Sequence, residues 1–359
     1  MPPTQDTTGN AKERKLHLLA ATTEIAGMLA GILAEHGIAF DRQRNLFSLT
    51  GRRDHTGTVG LLRRALSGPE RQGVSVIGGD NEEFPVPRPL DRWWQVLETR
   101  WFEKALAEDL FETWFQPIVD TGASPAGSRV IGYECLIRLA CGRVHEGAEI
   151  LEAARARNEL QSFDSRARQL AIRSASERSK SGLYFVNFIP SSVRNPEFGM
   201  NGTMEALYRS GMHPHNFVFE AVESELAGEM DHLRRIAEYC RRLGFGLALD
   251  NAGWSADAVH MVCELQPDYV KLDKALIRGV EHPAHASAVR RLVEVTEDRG
   301  IRLVAGGVER RQTMENLWLL GVHYMQGHLF GRPQPELCGP GQDLFRLAQS
   351  LGRTPVTVH

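Results

Sequence analysis

No hydrophobic run in this sequence is long enough to cross a bilayer; the most apolar early stretch, Ala26 to Ala34, is short and bounded by Glu24 and Glu35. The N-terminus, MPPTQDTTGNAKERK, is polar and lacks the apolar segment of a secretory leader, so a cytoplasmic protein with no membrane partner is expected. Cysteine is scarce: five residues, at 135, 141, 240, 263 and 338, form neither Cys-x-x-Cys pairs nor clusters with histidine. That spacing argues against a zinc module and for a reducing compartment. Charge of one sign is also missing, since 42 Lys+Arg stand against 45 Asp+Glu. No polycation is available to grip a nucleic-acid polymer or an anionic membrane. What is present, 42% hydrophobic residues in a chain of 359, suffices for about two packed domains.

The first part reads as a small α/β unit. From Leu16 to His36, apolar residues recur at helical spacing (Leu18, Ile25, Leu29, Ile32), with Gly37 as a left-handed stop. Three repeats fit a stripe facing the unit's own core better than a coiled-coil seam. Phe40 to Thr50 alternates like a hairpin, Gly60 to Leu66 is a short helix and Val74 to Ile77 a short strand. Pro85, Pro87 and Pro89 read as a stiff connector into a Trp-rich helix from about Asp91 to Ala107.

Beyond Asp109 the rhythm changes to βα units. Apolar runs at Trp114–Val119, Val130–Arg138, Leu183–Phe188, Phe217–Val222, Gly246–Asp250, Tyr269–Leu272, Arg302–Ala305 and Tyr324–Gln326 alternate with helical segments such as Asp231–Leu243 and Ala286–Asp298. That number of units fits a (β/α)8 barrel better than a doubly wound sheet. Several runs end in a polar residue that their neighbours do not lead one to expect: Asn187, Glu220, Asp250, Lys271 and Gln326. Any one of them taken alone reads as a strand-end cap. Five at equivalent positions converge on the C-terminal rim, and oxygen ligands of this kind suit Mg²⁺ or Mn²⁺ rather than zinc.

Eight strings then become recognisable, in order: FQPIVD (115–120), GYECLIR (132–138), FVNFIPSSV (185–193), FEAVESE (219–225), LALDNAG (247–253), PDYVKLDKALI (267–277), VAGGVE (304–309) and YMQGHLFGRP (324–333). Over about Arg100 to Ala348 the chain resembles the EAL-domain family of cyclic-di-GMP phosphodiesterases. The resemblance implies a modified TIM barrel and divides the chain into a small N-terminal α/β regulatory or interaction unit (1–90), a connector helix (91–108), the barrel (109–348) and a tail (349–359). It further implies two divalent ions that activate a water for attack on one phosphodiester of cyclic di-GMP, giving pGpG. Glu134, Asn187, Glu220 and Asp250 match the ligands of the first metal. Lys271 matches the lysine that helps position the water, and Asp273, Gln326 and Glu309 match further active-site positions. Gln116 and Arg138 match substrate contacts, and Glu223 the glutamate that braces the loop after the aspartate pair. A guanidinium such as Arg138 can also grip a phosphate with two hydrogen bonds.

The chain departs from the pattern at two acids. Asn251 stands where the family has its second aspartate, and Gly306 where it has a glutamate. Both fall around the second metal, so that site is expected to be lost and a single Mg²⁺ or Mn²⁺ retained, with Ca²⁺ as a non-catalytic substitute. The family's Phe-Gly-Thr-Gly reads Ala252-Gly253-Trp254-Ser255, in a loop that in the family also supports dimer contacts. The expectation is a degenerate EAL-domain protein without hydrolysis, acting as a cyclic-di-GMP receptor or as an adaptor. Its protein partner would meet the N-terminal unit or the barrel surface, and a homodimer is compatible with the family. The alternative is an active Mg²⁺- or Mn²⁺-dependent phosphodiesterase. Cys135 and Cys141 read as inert thiols, with no histidine partner apparent nearby. GGDNEEF (78–84) has too many residues for a diguanylate cyclase signature and reads as a turn with an acidic loop.

Overall fold

The structure is a computed structural model that describes residues 16–49, 55–78, 86–122, 128–141, 143–222, 230–252 and 256–339. The chain divides into two compact units, one reaching to Ala107 and including Arg155–Arg157, the other made of Glu108–Ala154 and the chain from Asn158 onward.

In the first unit, strands β1 (Leu16–Ala20), β2 (Phe40–Gln43), β3 (Leu46–Leu49), β4 (Val74–Gly78) and β5 (Arg88–Pro89) form a sheet in the order β2-β3-β1-β4-β5. All neighbours are antiparallel. Helices α1 (Thr23–Glu35), α2 (His55–Ala65) and α3 (Gly68–Gln72) fall between the strands, and α4 (Leu90–Glu98) and α5 (Arg100–Ala107) follow them. The first four strands with α1 and α2 make the β-α-β-β-α-β arrangement of a ferredoxin-like sandwich. Alternate strand residues (Leu16, Leu18, Phe47, Val74, Val76) point into a core completed by Ala26, Leu29 and Leu33.

The region read as one helix from Leu16 to His36 is thus a strand and a helix. Leu16–Ala20 runs between two partners, Leu18 facing Phe47 on one side and Val76 on the other. Thr22 ends the strand and caps the helix, its Oγ1 accepting the Ile25 amide at 3.2 Å. Helical spacing carried across that threonine hid a start signal. The proline-rich connector also contributes structure: Arg88–Pro89 pairs with β4 as an edge strand, where a missing amide is tolerated. The Trp-rich segment is two helices, and Trp93, Val96 and Leu97 of the first belong to this unit's core.

In the second unit, β6 (Phe111–Asp120), β7 (Arg129–Cys141) and β8 (Arg143–Glu146) come first, followed by α6 (Gly147–Ala156), α7 (Leu160–Arg178) and β9 (Tyr184–Phe188). Next are α8 (Pro196–Gly199), α9 (Asn201–Ser210), β10 (Phe217–Val222), α10 (Met230–Leu243), β11 (Gly246–Ala252) and α11 (Ala256–Leu265). The unit ends with β12 (Tyr269–Leu272), α12 (Lys274–Arg278), α13 (Pro283–Glu297), β13 (Arg302–Ala305), α14 (Arg311–Leu319) and β14 (Tyr324–Gln326). The order β6-β14-β13-β12-β11-β10-β9-β7 closes into a ring because β6 also pairs with β7. This is the modified TIM barrel that the sequence implies: seven strands run in parallel, and β6 is antiparallel to both of its neighbours. Strand β8 continues β7 as a hairpin outside the ring.

The barrel interior is closed by one apolar layer, Ile118, Phe185, Val218, Ala248, Tyr269 and Val304, drawn from six strands. Side chains alternate along a strand with period two, so the residue two positions further on shares the same inward face. That step leads from Phe185 to Asn187, from Val218 to Glu220, from Ala248 to Asp250 and from Tyr269 to Lys271. On the antiparallel strand β6 the same step runs backwards, from Ile118 to Gln116. The apolar layer is therefore the floor on which the polar rim stands.

Leu29 is fully buried, whereas Met28 beside it on α1 is 40% exposed. Leu29→Ala is expected to destabilise the first unit by about 2–5 kcal/mol, and Met28→Ala by less than about 0.5 kcal/mol, read as separate shifts in urea unfolding curves.

Candidate functional site

Strand register assembles the site. Gln116 on β6 faces Glu134 on β7, and Asn187 on β9 faces Glu220 on β10. Glu134 faces Phe185, Asp250 on β11 faces Val222, and Lys271 on β12 faces Val304. Gln326 on β14 faces Ile118. Gly327, next to Gln326, passes so close to the Val308 backbone that any Cβ would collide with it, which makes glycine obligatory beside that glutamine.

At the centre stands Lys271. Its Nζ lies 2.9 Å from Glu134 Oε2 and 3.0 Å from Glu220 Oε1, with all three side chains nearly sealed from solvent. Gln326 Nε2 donates to Glu134 Oε2 at 2.6 Å and to Gln116 Oε1 at 3.1 Å, and Gln116 Nε2 donates to the Gly331 carbonyl at 3.0 Å. Asn187 Nδ2 donates to Glu134 Oε1 at 3.4 Å.

One ammonium serves two buried carboxylates, and they divide it unequally. Burial alone would raise the Glu134 carboxyl, but the Lys271 charge and hydrogen bonds from Lys271, Gln326 and Asn187 prevail and hold it at about 2. Glu220 is pushed well above the usual carboxylate range, by burial first, with the charges of Glu134 and Asp250 adding to it and Lys271 opposing. Burial works against the Lys271 ammonium, yet Glu134, Glu220 and Asp250 raise its pKa above the ordinary lysine value. Burial and the same two glutamates raise the Cys135 thiol, which agrees with an inert packing role.

Gln116, Glu134, Asn187, Asp250, Lys271 and Gln326 line a cavity of about 720 Å³, together with Trp114, Arg138, Gly306 and Glu309, while Glu220 is fully buried behind it. Arg138 is buried, donates to the Ile137 carbonyl at 2.9 Å and stands 5.8 Å over the Trp114 ring. Glu309 is exposed on the rim, 4.0 Å from His328 Nδ1. Asp273 is not brought to the cavity wall among the described residues: its carboxylate accepts the Ala275 amide at 2.7 Å and caps α12. Glu223 and Gly253, Trp254 and Ser255 lie outside the described residues, as does the side chain of Asn251 and all of GGDNEEF beyond Gly78.

Two features escaped the sequence reading. Asp164 and Arg168, one helical turn apart on α7, form a buried pair at 3.0 Å. Asp164 accepts Ser192 Oγ at 2.7 Å and the Ile189 amide at 3.1 Å, while Arg168 lies 5.4 Å over Phe188. Together they clamp the chain that leaves Asn187. The Asp-x-x-x-Arg spacing was visible, but on a helix it reads as an ordinary surface pair. The other feature is a group of cations on the cavity wall: Lys274, Arg278 and Arg332.

The residues that could hold a metal are Glu134, Asn187, Glu220 and Asp250, oxygen donors throughout, a set that would suit a hard divalent cation. Among the described residues no three His, Cys, Asp or Glu side chains are already drawn into a cage. Glu220 Oε1, however, is buried and accepts no hydrogen bond even though the ammonium is close. An acceptor left over in this way fits one cation beside Lys271. At Gly306 there is no side chain to complete a second shell.

Replacing Lys271 by Met would strand both carboxylates, at a cost of about 3–5 kcal/mol near pH 8. Glu220 is the carboxyl whose pKa is pushed up, by burial first, so the penalty shrinks on acidification. Adding Glu220→Gln to Lys271→Met recovers part of the loss at pH 8. In the unaltered chain Glu134 stabilises the fold above the unfolded carboxylate value of about 4.3, and that contribution disappears as pH falls through about 2. Urea unfolding at several pH values reads all three effects.

The chain matches the EAL domain family over residues 99–333. It is 28% identical over 283 residues to the cyclic di-GMP phosphodiesterase PdeB of Shewanella oneidensis, a match that covers 77% of this chain and 32% of that protein. The chain thus spans about a third of that relative's length. A standalone versatile EAL protein from Vibrio cholerae O395, solved in its c-di-GMP-bound form, is 27% identical with a TM-score of 0.56 and covers 65% of this chain and 97% of its own. Klebsiella pneumoniae BlrP1, solved as a calcium/cy-diGMP complex, shares the fold over 91% of this chain and 98% of its own, at 20% identity and a TM-score of 0.59. The same protein has also been solved as a manganese/cy-diGMP complex. No helix among the described residues is long and apolar enough to cross a membrane. Strings, barrel closure and match agree, and the chain belongs to the EAL domain family.

Proposed function

We propose that this chain is a cyclic-di-GMP receptor that holds the dinucleotide without cutting it. The observation that carries the reading is Gly306: it is buried in the cavity wall, and nothing lies within 4 Å of where its Cβ would be. At that position the family's pattern has a carboxylate, and Asn251 replaces a second one. Hydrolysis by two ions relies on acids on both sides of the attacking water, and here one side is bare.

The retained residues support binding. Glu134, Asn187, Glu220 and Asp250 would hold one Mg²⁺ or Mn²⁺, with Ca²⁺ a non-catalytic substitute, and the ion would neutralise charge on a bound phosphate. Gln116 and Gln326 hold each other and Glu134 in a fixed orientation, so the wall is organised before ligand arrives. Arg138, braced by Trp114, offers its guanidinium to a phosphate. The N-terminal unit (1–90) with the helices at 91–108 would carry the signal to a protein partner, and the barrel (109–348) would bind the nucleotide.

The relative named as a phosphodiesterase favours a second reading, a working enzyme in which waters stand in for the absent acids. Calorimetry with cyclic di-GMP in Mg²⁺ and in Ca²⁺, followed by chromatography for pGpG, separates the two. The expected result is heat of binding without pGpG; repeated turnover in Mg²⁺ would establish the enzyme, and no heat in either metal would leave a protein-interaction scaffold. Asn251→Asp combined with Gly306→Glu is expected to turn a chain that forms no pGpG into one that forms it in Mg²⁺, through a restored base and its ion.

A further inference from the structure

The charges around the cavity are distributed unevenly. Lys271 is committed to Glu134 and Glu220. Lys274 and Arg278 of α12 and Arg332 line the same cavity, all three exposed at their outer ends. Among the described residues none of the three makes an ion pair or a side-chain hydrogen bond. Lys274 and Arg278 stand four residues apart on α12, so they share one helical face and repel each other. Arg332 approaches from the chain that follows β14. The acids close by in sequence are engaged elsewhere: Asp273 caps α12 through the Ala275 amide, Glu281 pairs with Arg310, Glu336 with Arg178, and Glu309 lies towards His328.

Gly306 explains why this group is uncompensated. The stem of Lys274 runs past the neighbouring Gly307, its Cγ 3.6 Å from where a Cβ would be. A glutamate at 306 would reach into the space beside that stem and offer a carboxylate to these cations. With glycine there, the same space is open beside the Lys274 stem. Cations from two elements facing an open volume are complementary to an anion, and tetrahedral phosphate accepts hydrogen bonds from lysine and arginine together.

We propose that the Gly306 side of the cavity is an anion subsite, in which Lys274, Arg278 and Arg332 hold a phosphoryl group where the family's pattern would place a second metal. The loss of the acid has thus changed the charge that this edge accepts, from a cation to an anion. The subsite depends on the cyclic-di-GMP reading only for the identity of the molecule that carries the phosphoryl group: the cyclic dinucleotide, linear pGpG with its terminal phosphate, or free phosphate.

The test is calorimetry on the full chain in EDTA, with cyclic di-GMP, pGpG and inorganic phosphate as separate titrants. For every titrant that binds, the Lys274→Ala/Arg278→Ala variant is expected to weaken binding about tenfold or more, the usual consequence of losing charge-assisted hydrogen bonds. Lys274→Arg with Arg278→Lys should retain most of the affinity, and Gly306→Glu should weaken inorganic phosphate by neutralising the same cations. Arg209→Ala, on the outer surface of α9, should change nothing. Dinucleotide binding that is equally tight in the double alanine variant would overturn the subsite and leave the receptor reading intact. Phosphate binding lost in that variant, with no dinucleotide bound by the parent, would support the subsite and remove the cyclic-di-GMP reading. A parent chain that takes none of the three titrants would overturn the subsite.

Discussion

The mouth of this barrel is organised by one buried ammonium between two buried glutamates. Without Lys271, Glu134 and Glu220 would repel each other in a medium that solvates neither, and the strands carrying them could not close with those side chains inward. With it, the Glu134 carboxyl is held low while burial pushes Glu220 up, Gln326 and Asn187 donate to Glu134, and Gln116 steadies Gln326. The apolar layer beneath, from Ile118 to Val304, excludes water and makes that charge pairing strong.

The rest of the cavity is shaped by what this core does not neutralise. On the β6–β7 side Arg138 is braced by Trp114; Lys274 and Arg278 on α12, and Arg332 in the chain that runs back beside β6, line the cavity without carboxylate partners. Between them, the oxygen donors of Glu134, Asn187, Glu220 and Asp250 favour a hard cation. A molecule with more than one phosphate would complement both edges at once.

Much of the barrel was legible from sequence because its signals are local and repeated. All eight strand runs are strands within a few residues, and the step of two from an apolar residue to a polar one recurs on four of them. The N-terminal unit was less legible. Leu16 to Ala20 is apolar on nearly every position, so helical and strand periods both fit, and only its two sheet partners settle the matter. Asp273 shows the same limit at the site: its place in the string PDYVKLDKALI suggested an active-site carboxylate, while the local demand of a helix start uses that carboxylate as a cap.

The sequence by itself determined which chemistry is present: oxygen donors at successive strand ends, a lysine among them, and two positions where an acid is missing. These are properties of residue type and order, which a chain carries before it folds. Only the tertiary structure decided how the charges are shared, because distances of about 3 Å between Lys271 and two glutamates more than 80 residues apart depend on barrel closure. The same closure brings residues of α12 and of the chain after β14 into the lining of one cavity, and leaves an open space at the bare α-carbon of Gly306.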